Sequence, residues 1–152
     1  MKNNRKLYLG INLEMDPSAA IVENGKVLAY SEEERHIRIK HAKNYYPKES
    51  IKYCLRVAKC NISDVKFIAI NWNLNAYNNG QMETFYKNIH NKYKVDTNTL
   101  AWQKRNLIKR SWKNYNLLHK FQLQKIFGNI KTPTIRGYPH HFTHAFQAFH
   151  QS

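Results

Sequence analysis

The chain has 152 residues, of which 42% are hydrophobic, and this is enough apolar material for one folded domain. These values exclude a disordered tail, which would be poor in hydrophobic residues. The formal net charge is +15, from 25 Lys and Arg against 10 Asp and Glu. Such an excess can reflect a surface that attracts phosphate-bearing partners. A coding bias toward Lys, Asn, Ile and Tyr explains the excess equally well. Charge alone therefore leaves nucleic-acid binding open.

The first part of the chain predicts three strands joined by tight turns. The apolar run at residues 7–13 indicates a buried strand, and it is too short for a signal-peptide core or a membrane span. Residues 19–22 and 27–30 predict two more strands, and Asn24-Gly25 between them is typical of a hairpin turn. Together these segments predict an antiparallel three-strand meander.

A helix and a further strand are predicted after the meander. The charged residues 32–41 are expected to form a loop, and Pro47 suits the first turn of the helix that follows. That helix has apolar residues on one face: Ile51, Cys54, Leu55 and Ala58. The nearly continuous apolar run at residues 65–71 predicts a central parallel strand. This order of elements predicts an α/β fold with crossover helices on a mixed sheet.

Residues 72–130 predict a basic, mostly helical insertion. Its first part, residues 72–99, is polar and has no clear period. Residues 100–127 contain a helical stripe that we expect to be core: Leu107, Ile108, Trp112, Tyr115, Leu118 and Ile126. The surrounding cations are expected to be solvated, and stacking of nucleic acid on the aromatic rings is the alternative. Residues 132–136 predict a short edge strand.

Cysteine usage points to a reducing compartment. Cys54 and Cys60 have no CxxC spacing and no nearby ligand residues, so we expect reduced thiols in a cytoplasmic protein. No segment suggests contact with a membrane.

Two histidines at helical spacing lie near the end of the chain. His140 and His144 are four residues apart, so both imidazoles leave one helix face and can reach a single metal ion. Two ligands do not complete a metal site, and no Asp or Glu follows Asp96. The alternative is a packed or solvated histidine pair.

Two loops carry further candidate binding groups. In the charged stretch, Arg38 can hold an anion and Lys40 can offset developing negative charge. Between the first two strands, the Asp16 carboxylate and the Ser18 hydroxyl can line a ligand. A solvated charged loop and an ordinary hairpin connection are the respective alternatives.

Taken in order, these motifs resemble the N-terminal domain of O-carbamoyltransferases, the group of nodulation protein U and antibiotic-tailoring carbamoyltransferases. The resemblance runs from about Leu7 to the last residue, although residues 72–130 contribute little. The matching segments are Gly10-Ile11-Asn12, Asp16-Pro17-Ser18-Ala19-Ala20, Asn24-Gly25-Lys26, Glu33-Glu34-Arg35, Arg38-Ile39-Lys40-His41, Pro47 and His140-His141-x-x-His144-Ala145. The resemblance implies the first half of an actin/sugar-kinase-like, ribonuclease H-like fold.

The resemblance also implies metal-dependent carbamoyl transfer. Family members hold a carbamoyl adenylate, made from ATP and carbamoyl phosphate in a separate C-terminal domain, and move its carbamoyl group to a hydroxyl of a small-molecule acceptor. By this likeness His140 and His144 are metal ligands, with iron as the expected metal. The remaining implied site residues are Lys40 and Asp16 for catalysis, with Ser18, Arg38 and His41 for substrate binding.

The chain departs from the family pattern in two respects. The family has His-Asp where this chain has Met15-Asp16, and methionine cannot act as a general base. The family's carboxylate ligands, the second half of its fold and its adenylate-forming domain have no counterpart within residues 1–152. We therefore expect an incomplete fold, inactive alone, which a missing C-terminal portion or a partner chain completes.

A related class is the alternative to the carbamoyltransferases. Proteins that transfer threonylcarbamoyl groups to tRNA share the fold and a His-x-x-x-His motif, and a basic chain suits tRNA. The block from Glu33 to His41 favours the carbamoyltransferases. The sequence does not identify the acceptor.

Overall fold

The structure is a computed structural model that describes residues 5–141 and Thr143. Two short 3-10 turns, Lys40–Ala42 and Ile62–Asp64, accompany the main elements. In chain order these elements are β1 (Leu7–Asn12), β2 (Ser18–Glu23), β3 (Lys26–Glu32), α1 (Glu33–Ile37), α2 (Lys48–Val57), β4 (Val65–Ile70), α3 (Asn75–Asn78), α4 (Gln81–Lys92), α5 (Thr97–Lys109), α6 (Trp112–Phe127) and β5 (Thr134–Gly137).

The five strands form one mixed sheet in the order β3-β2-β1-β4-β5. Strands β1, β2 and β3 are antiparallel neighbours, whereas β4 runs parallel to β1 and β5 runs parallel to β4. The predicted α/β class, the three-strand meander and the central position of β4 are confirmed. The predicted short strand is also confirmed, and it lies at the edge of the sheet as β5.

One face of the sheet forms the core, and α2 packs against it. The register places Leu9 beside both Ile21 and Ile68, and all three side chains are fully buried. The Cys54 thiol of α2 lies 3.4 Å from the Ala19 carbonyl oxygen and donates to it. Burial raises the pKa of Cys54 to about 11, so this thiol stays protonated and unreactive at neutral pH. The apolar face predicted for this helix is therefore confirmed.

The opposite face of the sheet is less well covered. Tyr8, Gly10, Ala20 and Ala69 are only half-buried there. The rings of Tyr8 and Phe67 lie 4.6 Å apart between centroids. This face therefore combines small and aromatic side chains that the described residues cover incompletely.

The charged stretch at residues 32–41 is not the loop that was predicted. Residues Glu33–Ile37 form the short helix α1, and the Lys40–Ala42 turn follows it. The helix forms because the Glu33 carboxylate turns inward and bonds to the start of α2, which anchors this segment to the core. The Arg38 amide then closes the last turn by donating to the Glu34 carbonyl oxygen at 2.9 Å.

The helical segment Asn73–Phe121 forms a second compact unit, separate from the unit that contains the sheet. The single apolar stripe predicted for residues 100–127 is wrong. The helix is interrupted at residues 110–111, between α5 and α6. This interruption changes which residues lie on the same helix face. Consequently Ile108 is 67% exposed and Leu118 is 41% exposed, whereas the polar residues Gln103 and His119 are buried.

Across residues 5–141 and Thr143, no helix has both the length and the apolar character that crossing a bilayer requires.

Candidate functional site

Polar groups converge at the edge of the sheet where the parallel strands β1, β4 and β5 end. Asn12 is the last residue of β1, and Asn71 comes directly after β4. The Asn71 side-chain amide donates to the Asn12 side-chain oxygen at 3.0 Å. After β5, the Tyr138 amide donates to the Ile70 carbonyl oxygen at 2.9 Å and carries the chain toward His140. Carboxyl ends of parallel strands are a usual location of binding sites in α/β folds.

Asn12 also organises the loop between β1 and β2. Its side-chain oxygen accepts from the Glu14 amide at 3.1 Å, and its side-chain nitrogen donates to the Asp16 carbonyl oxygen at 2.9 Å. Asparagine can make these bonds at once because its amide carries both donors and acceptors. The loop conformation that presents Asp16 is therefore tied directly to the end of β1.

The Asp16 carboxylate meets His41 from the charged block. His41 Nδ1 lies 2.8 Å from Asp16 Oδ1, and the His41 amide donates to Glu34 Oε2 at 2.6 Å. A ring nitrogen of His41 and one carboxylate oxygen each of Asp16 and Glu34 all lie within 4.8 Å of one another. The Asp16 carboxylate oxygen accepts a hydrogen bond from the Nδ1–H of His41, and this bond fully accounts for the contact.

The segment that holds His41 is conformationally strained. Positive φ angles occur at Arg38 (60°), His41 (62°), Ala42 (39°) and Asn44 (71°). These are four of the six non-glycine residues with positive φ in the described part of the chain. Each such residue costs roughly 1–3 kcal/mol and persists only where its surroundings hold it in place. Such strain clusters at functional sites, which favours a functional role for this loop.

His140 is held by contacts on two sides. Its Nδ1 lies 3.3 Å from the Asn71 carbonyl oxygen, and its ring stacks on Trp72 with 4.7 Å between centroids and 11° between planes. A carbonyl can only accept, so Nδ1 donates this hydrogen bond, and in a neutral ring of this tautomer the lone pair lies on Nε2. Metal-binding histidines adopt this arrangement, in which a backbone carbonyl holds one nitrogen and the other binds the metal. His140 therefore fits the predicted role, and His144 lies outside the described residues.

The other predicted site residues occupy different positions. Ser18 is 7% exposed at the start of β2 and lines the sheet cleft described below. Arg38 ends α1, and Lys40 begins the 3-10 turn beside His41; both are exposed. The fold thus brings Asp16 and His41 together and connects Asp16 through Asn12 and Asn71 to His140. No contact among the described residues joins Lys40 to His140.

A cleft of about 250 Å³ opens on the less covered face of the sheet. Its lining includes Gly10, Asn12, Ser18, Tyr30, Asn71 and Tyr138, and none of its described lining residues carries a charge. Partial burial raises the pKa of Tyr30, so its phenol stays neutral. The Tyr30 hydroxyl donates to Glu32 Oε1 at 3.1 Å. In a chain this basic, an uncharged cleft suits neutral groups of a ligand rather than phosphates.

Three residues of this site were missed by the sequence analysis: Asn12, Asn71 and Trp72. A usable signal was present, because Asn12 lies near the end of the apolar run at residues 7–13 and Asn71 ends the run at residues 65–71. Had these two strands been predicted as parallel neighbours, their ends would have been expected at one edge of the sheet.

The fold and this site define an α/β domain in which motifs from both ends of the chain converge on one sheet edge. The family described as Carbamoyltransferase N-terminus matches residues 7–152, and the chain belongs to that family. The predicted resemblance is thereby confirmed.

Two relatives are similar to parts of the chain. Nodulation protein NolNO of Sinorhizobium fredii (strain NBRC 101917 / NGR234) is 32% identical over 139 residues, which cover 90% of this chain and 18% of that protein. An uncharacterized 19.2 kDa protein in the syrM 5' region of Rhizobium etli is 44% identical over 73 residues, which cover 47% of this chain and 42% of that protein. The matched segments therefore cover less than half the length of either relative.

Proposed function

We propose that this chain forms the N-terminal part of an enzyme that transfers a carbamoyl group from carbamoyl adenylate to a hydroxyl of a small-molecule acceptor. The observation that carries this proposal is the hydrogen-bonded path between His41 of the charged stretch and His140. The path runs through Asp16, Asn12 and Asn71. Two family motifs that are distant in the chain are thus joined in one structural unit.

The sheet topology supports the finer assignment to an actin/sugar-kinase-like, ribonuclease H-like fold. An antiparallel three-strand meander, extended on one side by two parallel strands, is the arrangement expected for the first half of such a fold. The polar edge formed by the ends of β1 and β4 would face the ligand cleft.

A divalent metal, with iron as the expected one, would be held by His140 together with His144. When bound, it would act as a Lewis acid on the carbamoyl carbonyl. The chain's own contribution is orientation, since the Asn71 carbonyl and the Trp72 ring hold the imidazole of His140. Lys40 would offset negative charge that develops on the transferred group. Arg38 and Ser18 would bind the substrate.

Further polypeptide would complete the site, either as a C-terminal portion or as a partner chain. The half-buried sheet face around Gly10, Ala20 and Ala69 supports this, because a folded enzyme normally covers such a surface. The small share of the nodulation protein that the chain matches, 18%, supports it as well. The additional residues would supply the carboxylate ligands and the adenylate-forming site.

Nucleic-acid binding without catalysis is a second candidate function, and one observation favours it. Trp102 of α5 is 54% exposed, and it shares a helix face with the exposed Arg105 and Lys109. An exposed indole among cations is a platform on which bases can stack. Membership of the carbamoyltransferase family favours the first candidate.

Metal binding tests the assignment of the histidine pair. In a chimera with nodulation protein NolNO, which would supply the remaining ligands, we expect His140→Ala and His144→Ala each to lower the amount of Fe²⁺ bound under anaerobic conditions, because each removes a ligand nitrogen. His141→Ala is the matched control, since this neighbouring histidine is exposed and has no assigned ligand role. Equal iron content in all three variants, measured by elemental analysis, would refute the assignment.

Carbamoyl transfer is best tested in a chimera. In it, this chain replaces the matching region of nodulation protein NolNO. We expect the labelled carbamoyl group of carbamoyl phosphate to be incorporated, in the presence of ATP, into at least one of three acceptors: a monosaccharide, a chitin oligosaccharide and an aminoglycoside. Lys40→Ala should lower the rate by roughly 100-fold or more, as expected when a group that stabilises transition-state charge is lost.

Controls for the chimera come from the same loop and from the isolated chain. Lys43→Ala changes another exposed lysine nearby and should leave the rate unaltered. The 152-residue chain alone should transfer nothing. A folded chimera without transfer, or one that is indifferent to Lys40→Ala, would contradict the proposal.

A further inference from the structure

The contact between Asp16 and His41 has the geometry of a general base and the carboxylate that orients it. Asp16 Oδ1 accepts a hydrogen bond from the Nδ1–H of His41 at 2.8 Å. With the proton on Nδ1, the lone pair resides on Nε2, at the opposite side of the ring. A carboxylate in this position fixes the tautomer and the direction of the imidazole, and it stabilises the imidazolium once a proton is accepted.

We propose that His41 Nε2 takes the proton of the acceptor hydroxyl and that Asp16 is its positioning residue. This inference rests on the proposed carbamoyl transfer. In that step the hydroxyl oxygen bonds to the carbamoyl carbon as the hydroxyl proton moves to Nε2. The bond from that carbon to the adenylate oxygen breaks, its electron pair leaves with AMP, and the imidazolium then releases its proton to water. The chain thereby has a base even though position 15 is methionine.

The surroundings of His41 favour this role over that of a simple surface residue. Its backbone is held in the left-handed region, at φ 62°, by the bond from its amide to Glu34 Oε2. Asp16 is held in turn by the bond from Asn12 to its carbonyl oxygen. Both partners of the pair are therefore fixed through the backbone, which is the support that an oriented base requires.

The ring of His41 is also accessible to a substrate. Its side chain is 54% exposed, and that of Asp16 is 49% exposed. Ser18, two residues after Asp16, lines the uncharged cleft. One carboxylate oxygen each of Asp16 and Glu34 lies within 4.8 Å of a ring nitrogen of His41.

A reactivity measurement on the 152-residue chain tests this inference without requiring transfer. Diethyl pyrocarbonate acylates an imidazole nitrogen that carries a lone pair, and peptide mass spectrometry gives the rate at each histidine. At pH 8 we expect His41 to react on the order of tenfold faster than the exposed His90, because the Asp16 carboxylate orients and polarises its ring. Asp16→Asn should abolish that difference, and Asp16→Glu should restore much of it.

Asp64→Asn is the matched control, because Asp64 is bonded to the Asn61 amide and has no contact with a histidine in the described residues. It should leave the His41 rate unchanged. Equal rates at His41 and His90, or a fast His41 that is insensitive to Asp16→Asn, would overturn the proposal. A reactive His41 in a chimera that transfers nothing would count against the proposed function alone.

In an active chimera, His41→Gln should lower kcat by roughly 100-fold or more and change KM little. A change confined to KM would assign His41 to substrate binding and overturn its role as a base.

Discussion

Acidification from pH 7 to pH 4 is expected to lower the free energy of unfolding by about 3 kcal/mol through His119 alone. His119 is fully buried in α6, and burial lowers its pKa to about 4. In the unfolded chain the same group titrates near pH 6.5. Between these values the unfolded state binds more protons than the folded state. Stability is therefore intact above about pH 6.5 and is lost as the pH falls toward 4.

Urea unfolding followed by circular dichroism at several pH values between 7.5 and 4 measures this effect. His119→Gln should flatten the pH dependence between 6.5 and 4, because the substituted side chain does not titrate. His90→Gln is the matched control, since His90 is an exposed histidine in the neighbouring helix α4. An unchanged slope in His119→Gln would show that other groups cause the acid sensitivity.

Glu33→Ala is expected to lower the free energy of unfolding by about 2–4 kcal/mol. Glu33 is 2% exposed, and its carboxylate accepts from the Glu49 amide at 3.1 Å and from both the amide and the hydroxyl of Ser50 at 2.9 Å. It thus serves as the N-terminal cap of α2 from outside that helix. Truncation leaves these three donors without an acceptor, and the two on the fully buried Ser50 are costly to leave unsatisfied.

Thermal and urea denaturation of Glu33→Ala and Glu33→Gln would measure this contribution. The glutamine variant keeps one acceptor oxygen and should lose less stability than the alanine variant. Glu83→Ala is the control, because Glu83 makes an exposed ion pair with Lys87, and such a pair contributes little to stability. Equal losses in Glu33→Ala and Glu83→Ala would refute the capping role.

These contacts divide the Glu-Glu-Arg motif into parts with different roles. Glu33 faces inward and caps α2, whereas Glu34 accepts from the amide of His41. Adjacent carboxylates thus connect the helix behind the sheet to the loop that presents His41. The first two residues of this motif, Glu33 and Glu34, therefore have a structural role and hold the residues that follow them in place.

Periodicity predicted the elements that pack on the sheet. Strands β1 to β4 and helix α2 were predicted because their apolar residues recur at the spacing of the structure they form, and their burial follows directly from that spacing. The same logic failed for α5 and α6, where Ile108 is exposed and His119 is buried. A break in the helix changes which residues share a face, and the sequence carried no glycine or proline there to mark it.

The candidate site was predicted only in fragments. His140, Asp16 and the charged block were identified from residue type and family resemblance, but no local pattern indicated that Asp16 and His41 form a hydrogen bond. Asn12 and Asn71 were missed because a single asparagine after a strand is common in turns.

The sequence by itself determined the strand meander, the buried face of α2 and the family to which the chain belongs, since each depends on residue types at short spacing. Only the tertiary structure decided that β4 lies parallel to β1 and that Asn71 therefore reaches Asn12. Pairing between distant strands depends on how the whole sheet assembles, and so do the side-chain contacts at its edge. The path from His41 to His140 is therefore a property of the folded chain.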